Sequence, residues 1–250
     1  MPGCALPDGR CGRIGTPCRS GRCIARTVHR LHDRRWRDKL GLFAVEGEDL
    51  VDAAAAKPVD VLRVGEDVEP RLLADVATAG HPPRVIAVYR REDLPPWEER
   101  PATLALWRLG DPGNVGTLIR TADAFGAAVA LSPGCADPTS PKALRASAGS
   151  IWRVPLGTWE DVGGTRVALE AHAGRPLASL DLRGRVAFLL GAEREGLPPE
   201  AVRELDATIP IDVAESLNVA ASGAIALYEW RRQTQIESSP PRHGERSNQP

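Results

Sequence analysis

The sequence predicts an α/β protein: a mostly parallel sheet covered by helices, preceded by a smaller α/β unit. Three observations predict it. From residue 102 onward, short apolar runs alternate with helix-period patterns, which is the signature of strands joined by crossover helices. Within that region the stretch DPGNVGTLIRTADAFG, residues 111–126, follows an apolar run at 103–107 through a glycine-containing loop. Such a strand–loop–helix passage is where open α/β sheets bind ligands. Upstream, LPPWEERP at 94–101 carries three prolines and clustered charges, so it reads as a linker between two units.

A chain of 250 residues has room for one large or two modest domains, and 42% hydrophobic with 26% charged residues is ordinary globular composition. No run approaches the roughly 20 apolar residues of a membrane span, and no signal-peptide pattern opens the chain. The expectation is a cytoplasmic protein with no membrane partner. Net charge is −1, but ten basic residues lie between Arg10 and Lys39 against only Asp33 and Asp38. That block suits phosphate docking, a solvated helix face or a disordered tail. Four of the five cysteines (Cys4, Cys11, Cys18, Cys23) crowd the first 23 residues without paired CxxC spacing. With hardly any apolar side chains around them, residues 1–23 read as a disordered leader rather than a metal knuckle.

The elements follow in order. Residues 24–93 form the small unit, with apolar points in a basic helical stretch, helices at 48–56 and 71–79, and strands at 59–64 and 84–89. Residues 102–232 form the large unit, with strands expected at 103–107, 129–131, 167–172, 186–191 and 208–211. Helices are expected at 115–125, 141–148, 199–205 and 216–231, and the polar segment 233–250 reads as a disordered tail.

Three segments carry chemistry. In the first, Val115, Leu118, Ile119, Ala122 and Phe125 give a buried stripe, Asn114 is an N-cap candidate and Arg120 lies off the stripe. The second, FLLGAEREGL, is a buried strand ending at Gly191 and entering a loop with Gly196, so backbone can approach a ligand closely. It is not GxGxxG, and Glu193 and Glu195 would repel a pyrophosphate, which disfavours a dinucleotide enzyme. The third runs from Ile209-Pro210-Ile211 to Ser216-Leu217-Asn218 and a final helix. Taken singly, Ser216 is a plain cap and Asn218 a first-turn polar residue.

Together these segments, with SAGSIWRVP at 147–155 between the first two, resemble the SpoU/TrmH family of RNA 2′-O-ribose methyltransferases, in the family's order over about 102–231. FAVEGEDLVDAA at 43–54 is similar to that family's N-terminal L30e-like substrate-binding domain. The turn 212–215 lacks the glycine many relatives carry there. The resemblance implies a deep trefoil knot, which physics alone would not predict because threaded chains are nearly absent from proteins. It also implies S-adenosylmethionine as cofactor, ribosomal or transfer RNA as substrate, and a homodimer. Cofactor contacts would come from Leu190, Gly191, Gly196, Ile209, Ile211 and Leu217. Arg120 matches the residue credited with activating the ribose hydroxyl, while Asn114, Glu193, Ser216 and Asn218 match the other polar active-site positions. No metal is implied.

An arginine guanidinium stays protonated at pH 7 and so makes a poor free base. Arg120 is therefore expected to orient the hydroxyl and stabilise the developing alkoxide, with an RNA phosphate or nearby polar group taking the proton. The competing reading is an inactive RNA-binding or assembly protein on the same fold, disfavoured because all five polar positions are present.

Overall fold

The computed structural model describes residues 21–171, 174–192, 195–198, 201, 203–210 and 216–236. It opens with two helices, α1 (Gly21–Leu31) and α2 (Arg34–Leu40). Ile24, Ala25, Val28 and Leu31 bury one stripe of α1, leaving Arg22, Arg26 and Arg30 exposed on the other. The Asp33 carboxylate accepts from the Arg35 N–H to start α2, and Gly41 ends it at φ 64°, a left-handed cap that favours glycine. The described part of the basic block is thus one amphipathic helix, α1, and a short second helix, α2, in which Arg37 is buried. Order starts at Gly21 at the latest, so Cys23 is helical, which corrects a leader running through residue 23; residues 1–20 lie outside the described set.

Strand β1 (Leu42–Glu46) is followed by α3 (Glu48–Asp52), β2 (Asp60–Arg63), α4 (Pro70–Val76) and β3 (Val85–Arg90). The three strands form an antiparallel sheet in the order β1-β3-β2, with Leu42 opposite Arg90 and Asp60 opposite Val88. Both helices are shorter than their sequence patterns suggest. Residues 53–59 leave the helical path ahead of Pro58, and residues 77–84 leave it ahead of Gly80, Pro82 and Pro83.

The second sheet is built from β4 (Ala102–Leu106), α5 (Pro112–Phe125), β5 (Ala128–Leu131), α6 (Pro141–Ser147), β6 (Leu156–Thr158), β7 (Thr165–Leu169), β8 (Arg175–Pro176), β9 (Val186–Leu190), β10 (Leu205–Thr208) and α7 (Val219–Ile236). Its seven strands are all parallel, ordered β6-β5-β4-β9-β7-β10-β8. The chain winds outward from β4 through β5 to β6, crosses to β7, then returns to insert β9 between β4 and β7. That reversal places a crevice at the carboxyl ends of β4 and β9, which is where such sheets take ligands. Leu104, Leu106, Leu118, Ile119, Phe188 and Leu227 are fully buried between sheet, α5 and α7. Gly116 lets α5 touch the α6 backbone, since a Cβ there would collide with the Ala143 carbonyl.

Four sequence expectations need correction. The strand at 208–211 begins earlier, at Leu205, because Leu205, Asp206 and Ala207 pair with Val167, Ala168 and Leu169 on β7. Pro210 has no N–H for a ladder, so β10 stops at Thr208. The expected helix at 199–205 is not formed at Ala201, Arg203 or Leu205, where strand pairing takes the last of these. The final helix starts at Val219 and runs on to Ile236, four residues into the expected tail. Segment 94–101 is packed rather than free: Trp97 lies on Gly157 of β6 and joins Ala105, Ala130 and Leu189 on the far face of the sheet. Two short strands, β6 and β8, escape the periodicity because three and two residues are too few to show alternation.

The two sheets share a core. Phe43 and Tyr89 pack on Trp152, with the Tyr89 and Trp152 rings edge-on at 4.8 Å. Beside them the Asp137 carboxylate accepts from Arg37 Nε at 2.7 Å, Arg91 Nη2 at 2.6 Å and Thr139 Oγ1 at 2.7 Å. Among the described residues no helix is long and apolar enough to cross a membrane.

Candidate active site

The site begins with how α5 starts. Asp111, not Asn114, is the N-cap: its Oδ1 accepts from the Gly113 N–H at 2.9 Å, and Pro112 takes the first helical position, where a missing N–H costs nothing. Lys142 Nζ also donates to Asp111 Oδ1 at 2.6 Å, and these two hydrogen bonds, lysine first, hold the Asp111 carboxyl below the usual carboxylate range. Asn114 is thereby set in the first turn of α5, at the carboxyl end of β4.

The loop after β9 forms the opposite wall. Ala192 and Gly196 exchange backbone hydrogen bonds, N–H to O at 3.2 Å and 2.8 Å, closing a tight turn. Gly196 needs φ +66°, and a Cβ on Gly191 would strike the Gly196 backbone, so both glycines are required by geometry. The third wall is the start of α7. Asn218 caps it, its Oδ1 accepting from the N–H groups of Ala220 at 2.9 Å and Ala221 at 3.3 Å. Its amide Nδ2 then reaches Asn114 Oδ1 at 3.2 Å, joining residues 104 positions apart.

The loop after β9, the start of α7 and the carboxyl end of β7 line a cleft of about 420 Å³, within the range of small-molecule sites, and Asn114 does not line it but joins it through Asn218. Leu190, Gly191, Gly196, Ile209, Ser216, Leu217 and Asn218, all singled out from sequence, line it. Glu170, at the carboxyl end of β7, lines it too, and the sequence pattern does not single it out. The expected strand at 167–172 places Glu170 inside the sheet, whereas β7 stops at Leu169 and its carboxyl end is where ligand contacts belong. Glu193 and Ile211 lie outside the described residues. Arg120 does not line the cleft. It is exposed on α5, beside the face that also carries Thr117 and Ala124.

The donor set fits a nucleoside-like ligand with an amino-acid tail. Leu169, Leu190, Leu197, Ile209 and Leu217 offer apolar walls, backbone of the glycine-bearing loop after β9 offers N–H and C=O groups, and the Glu170 carboxylate can accept from hydroxyls or an ammonium. No group of His, Cys, Asp and Glu suited to a metal occurs among the described residues.

A profile of the SpoU rRNA Methylase family matches residues 101–228. The chain belongs to the SpoU methylase family. It is 31% identical to the 23S rRNA (guanosine(2553)-2′-O)-methyltransferase RlmP of Bacillus subtilis over 236 residues, covering 81% of this chain and 93% of that one. Its fold is similar to the SpoU methyltransferase AviRb of Streptomyces viridochromogenes, solved in complex with the cofactor AdoMet: TM-score 0.75, 25% identity, 87% of this chain and 99% of that one. An AdoMet-bound rRNA methyltransferase of Sinorhizobium meliloti gives TM-score 0.73 at 28% identity, covering 84% and 94%. The parallel seven-stranded α/β sheet is therefore the architecture of a SpoU methylase.

Proposed function

We propose that this SpoU methylase transfers a methyl group from S-adenosylmethionine to the 2′-hydroxyl of a ribose in structured ribosomal or transfer RNA. The observation that carries the reading is the Asn114–Asn218 hydrogen bond, which brings the first and last motifs together at the mouth of a cleft walled by the middle one. AdoMet, when bound in that cleft, supplies an electrophilic methyl carbon on a sulfonium. Leu190, Gly191, Gly196, Ile209 and Leu217 would hold it through backbone and apolar contacts, and Ile211, which lies outside the described residues, is proposed as a further cofactor contact. Asn114, Asn218, Ser216 and Glu193 orient the acceptor ribose, so that the oxygen faces the methyl in line. Arg120 holds the hydroxyl and stabilises the alkoxide as its proton passes to an RNA phosphate or a neighbouring polar group.

Arg120 stands away from the cleft of its own subunit, which supports a homodimer in which it serves the partner's cleft. The exposed α7 side chains Ile225 and Tyr228 provide an apolar face for that pairing. The same reading includes a trefoil knot formed by the 191–197 and 209–218 loops, and an L30e-like unit over 24–93 that selects RNA. Residues 102–232 carry the chemistry, with 94–101 between the two.

The test is transfer of labelled methyl from AdoMet to RNA by the purified chain, followed by mapping of 2′-O-methyl sites in RNA from a deletion strain. A chain that binds AdoMet and RNA yet methylates no RNA from that strain would leave the inactive assembly-protein reading in its place.

A further inference from the structure

Building on that reading, we propose that the RNA strand reaches the cleft along one continuous cationic track, from Arg30, Trp36 and Lys39 on α1 and α2, past Arg34, to Arg108 at the cleft mouth. The first section is preorganised. The Arg30 guanidinium sits 4.9 Å and the Lys39 ammonium 5.1 Å from the Trp36 ring, so one indole pins cations from two helices. Neither Arg30 nor Lys39 has a carboxylate partner among the described residues. The nearby acids are occupied: Asp33 caps α2, and Asp38 is held by Arg91 at 2.7 Å and Arg34 at 3.7 Å.

The middle of the track crosses between the two sheets on the 132–137 loop. Arg34 Nη1 donates to the Cys135 carbonyl at 3.0 Å, and one residue earlier Gly134 lies against the aliphatic stem of Arg108. Arg34 and Arg108 therefore meet the same loop at adjacent residues, although they come from different units. The buried Arg37–Asp137 pair fixes that loop to α2, which holds the two backbones that carry the track together.

Arg108 closes the track. It is the first exposed residue after Trp107, whose N–H binds the Leu190 carbonyl at the cleft wall. Its backbone stands at φ 51°, a left-handed conformation that a side chain disfavours and glycine accepts. A long-chain cation kept at such a position, 57% exposed, suggests a use that a glycine could not serve. Its guanidinium approaches Glu195, on the far wall, at 3.6 Å, too far for a hydrogen bond and loose enough to exchange for a phosphate.

Full-length Arg108→Gly and Arg30→Ala/Lys39→Ala test this by filter binding to protein-free 23S rRNA over a salt series, with AdoMet affinity measured alongside. Arg84→Ala, just before β3 and at the end away from Arg91, is the off-track control. Arg108→Gly should melt close to the parent and keep its AdoMet affinity, because glycine adopts φ 51° readily. Its RNA affinity should fall several-fold, and the salt slope should shrink by about 0.7–0.9 for each phosphate no longer neutralised. The double variant should show about twice that reduction in slope. RNA affinities and slopes equal to those of Arg84→Ala, in a parent that methylates RNA, would remove the track and leave the enzyme reading standing. A parent that neither binds nor methylates RNA would remove both.

Discussion

Asn218 Nδ2 donates to Asn114 Oδ1 across 3.2 Å, while Asn218 Oδ1 caps α7. One side chain thus holds a helix and a site together, and the two tasks separate by substitution. Asn218→Asp keeps the cap oxygens but loses the amide donor. It should leave thermal stability near the parent's and lower methyl transfer at least tenfold. Asn218→Ala loses both, and should also cost about 0.5–2 kcal/mol of stability, the usual value of an N-cap. Denaturant unfolding beside single-turnover transfer distinguishes them; equal transfer by parent and Asn218→Asp would show that the hydrogen bond has no role in the reaction.

Arg120 is exposed on α5 and has no part in the core. Arg120→Ala should therefore fold as stably as the parent and bind AdoMet normally, since the cleft is built by other residues. Methyl transfer should fall by roughly 10²–10³-fold, the scale for losing one charge-stabilising donor. Arg120→Lys should rescue it poorly, because an ammonium lacks the planar fork that engages hydroxyl and phosphate together. Near-parental transfer by the alanine variant under saturating AdoMet and RNA would end the assignment.

Much of this site is legible in the sequence because its parts are local. Gly191 and Gly196 stand out as a strand end and a turn, and the apolar stripe of α5 is carried by spacing alone. Asn114 reads as a cap from its local string, but Asp111 performs that task one turn earlier, with Lys142 from α6 bonded to it. Nothing in the local string announces that lysine. Glu170 escapes notice for the same reason: where β7 ends depends on pairing with β10, whose Leu205, Asp206 and Ala207 each lie 38 residues beyond their partners Val167, Ala168 and Leu169. The helical expectation fails at Leu205 because a partner strand outweighs local pattern. Likewise Arg37 looks like one more solvated arginine of the basic block, yet it is buried against Asp137, 100 residues on.

The α7 face with Ile225 and Tyr228, 38% and 61% exposed, gives the dimer proposal a direct test. Ile225→Asp/Tyr228→Asp should stay folded, because neither side chain belongs to the buried core. Light scattering at micromolar concentration should show a dimer for the parent and a monomer for the variant. Transfer should fall with dimer content, as Arg120 loses access to a partner's cleft. A monomeric variant with full activity would refute the shared site.

Asp137 ties the two sheets together, and its titration should set the acid limit of the fold. Burial pushes its carboxyl up, but hydrogen bonds from Thr139 and Arg37, with the charge of Arg91, outweigh burial and hold it below the usual range. The unfolded chain, near the ordinary value of about 3.9, then takes up the proton first as pH falls. The stabilisation is therefore complete above that value and is lost as pH drops through the lower, folded one. His32 behaves differently: burial lowers its pKa, so stability already declines somewhat as pH falls below 6.5, in parent and variant alike. Asp137→Asn removes the charge and leaves Arg37 buried without its carboxylate, which should cost about 3–5 kcal/mol at pH 7. The variant should then lose less further stability than the parent between pH 5 and pH 3. Urea unfolding at pH 7, 5 and 3 measures both, and parallel pH profiles for parent and variant would show that another carboxylate governs the acid transition.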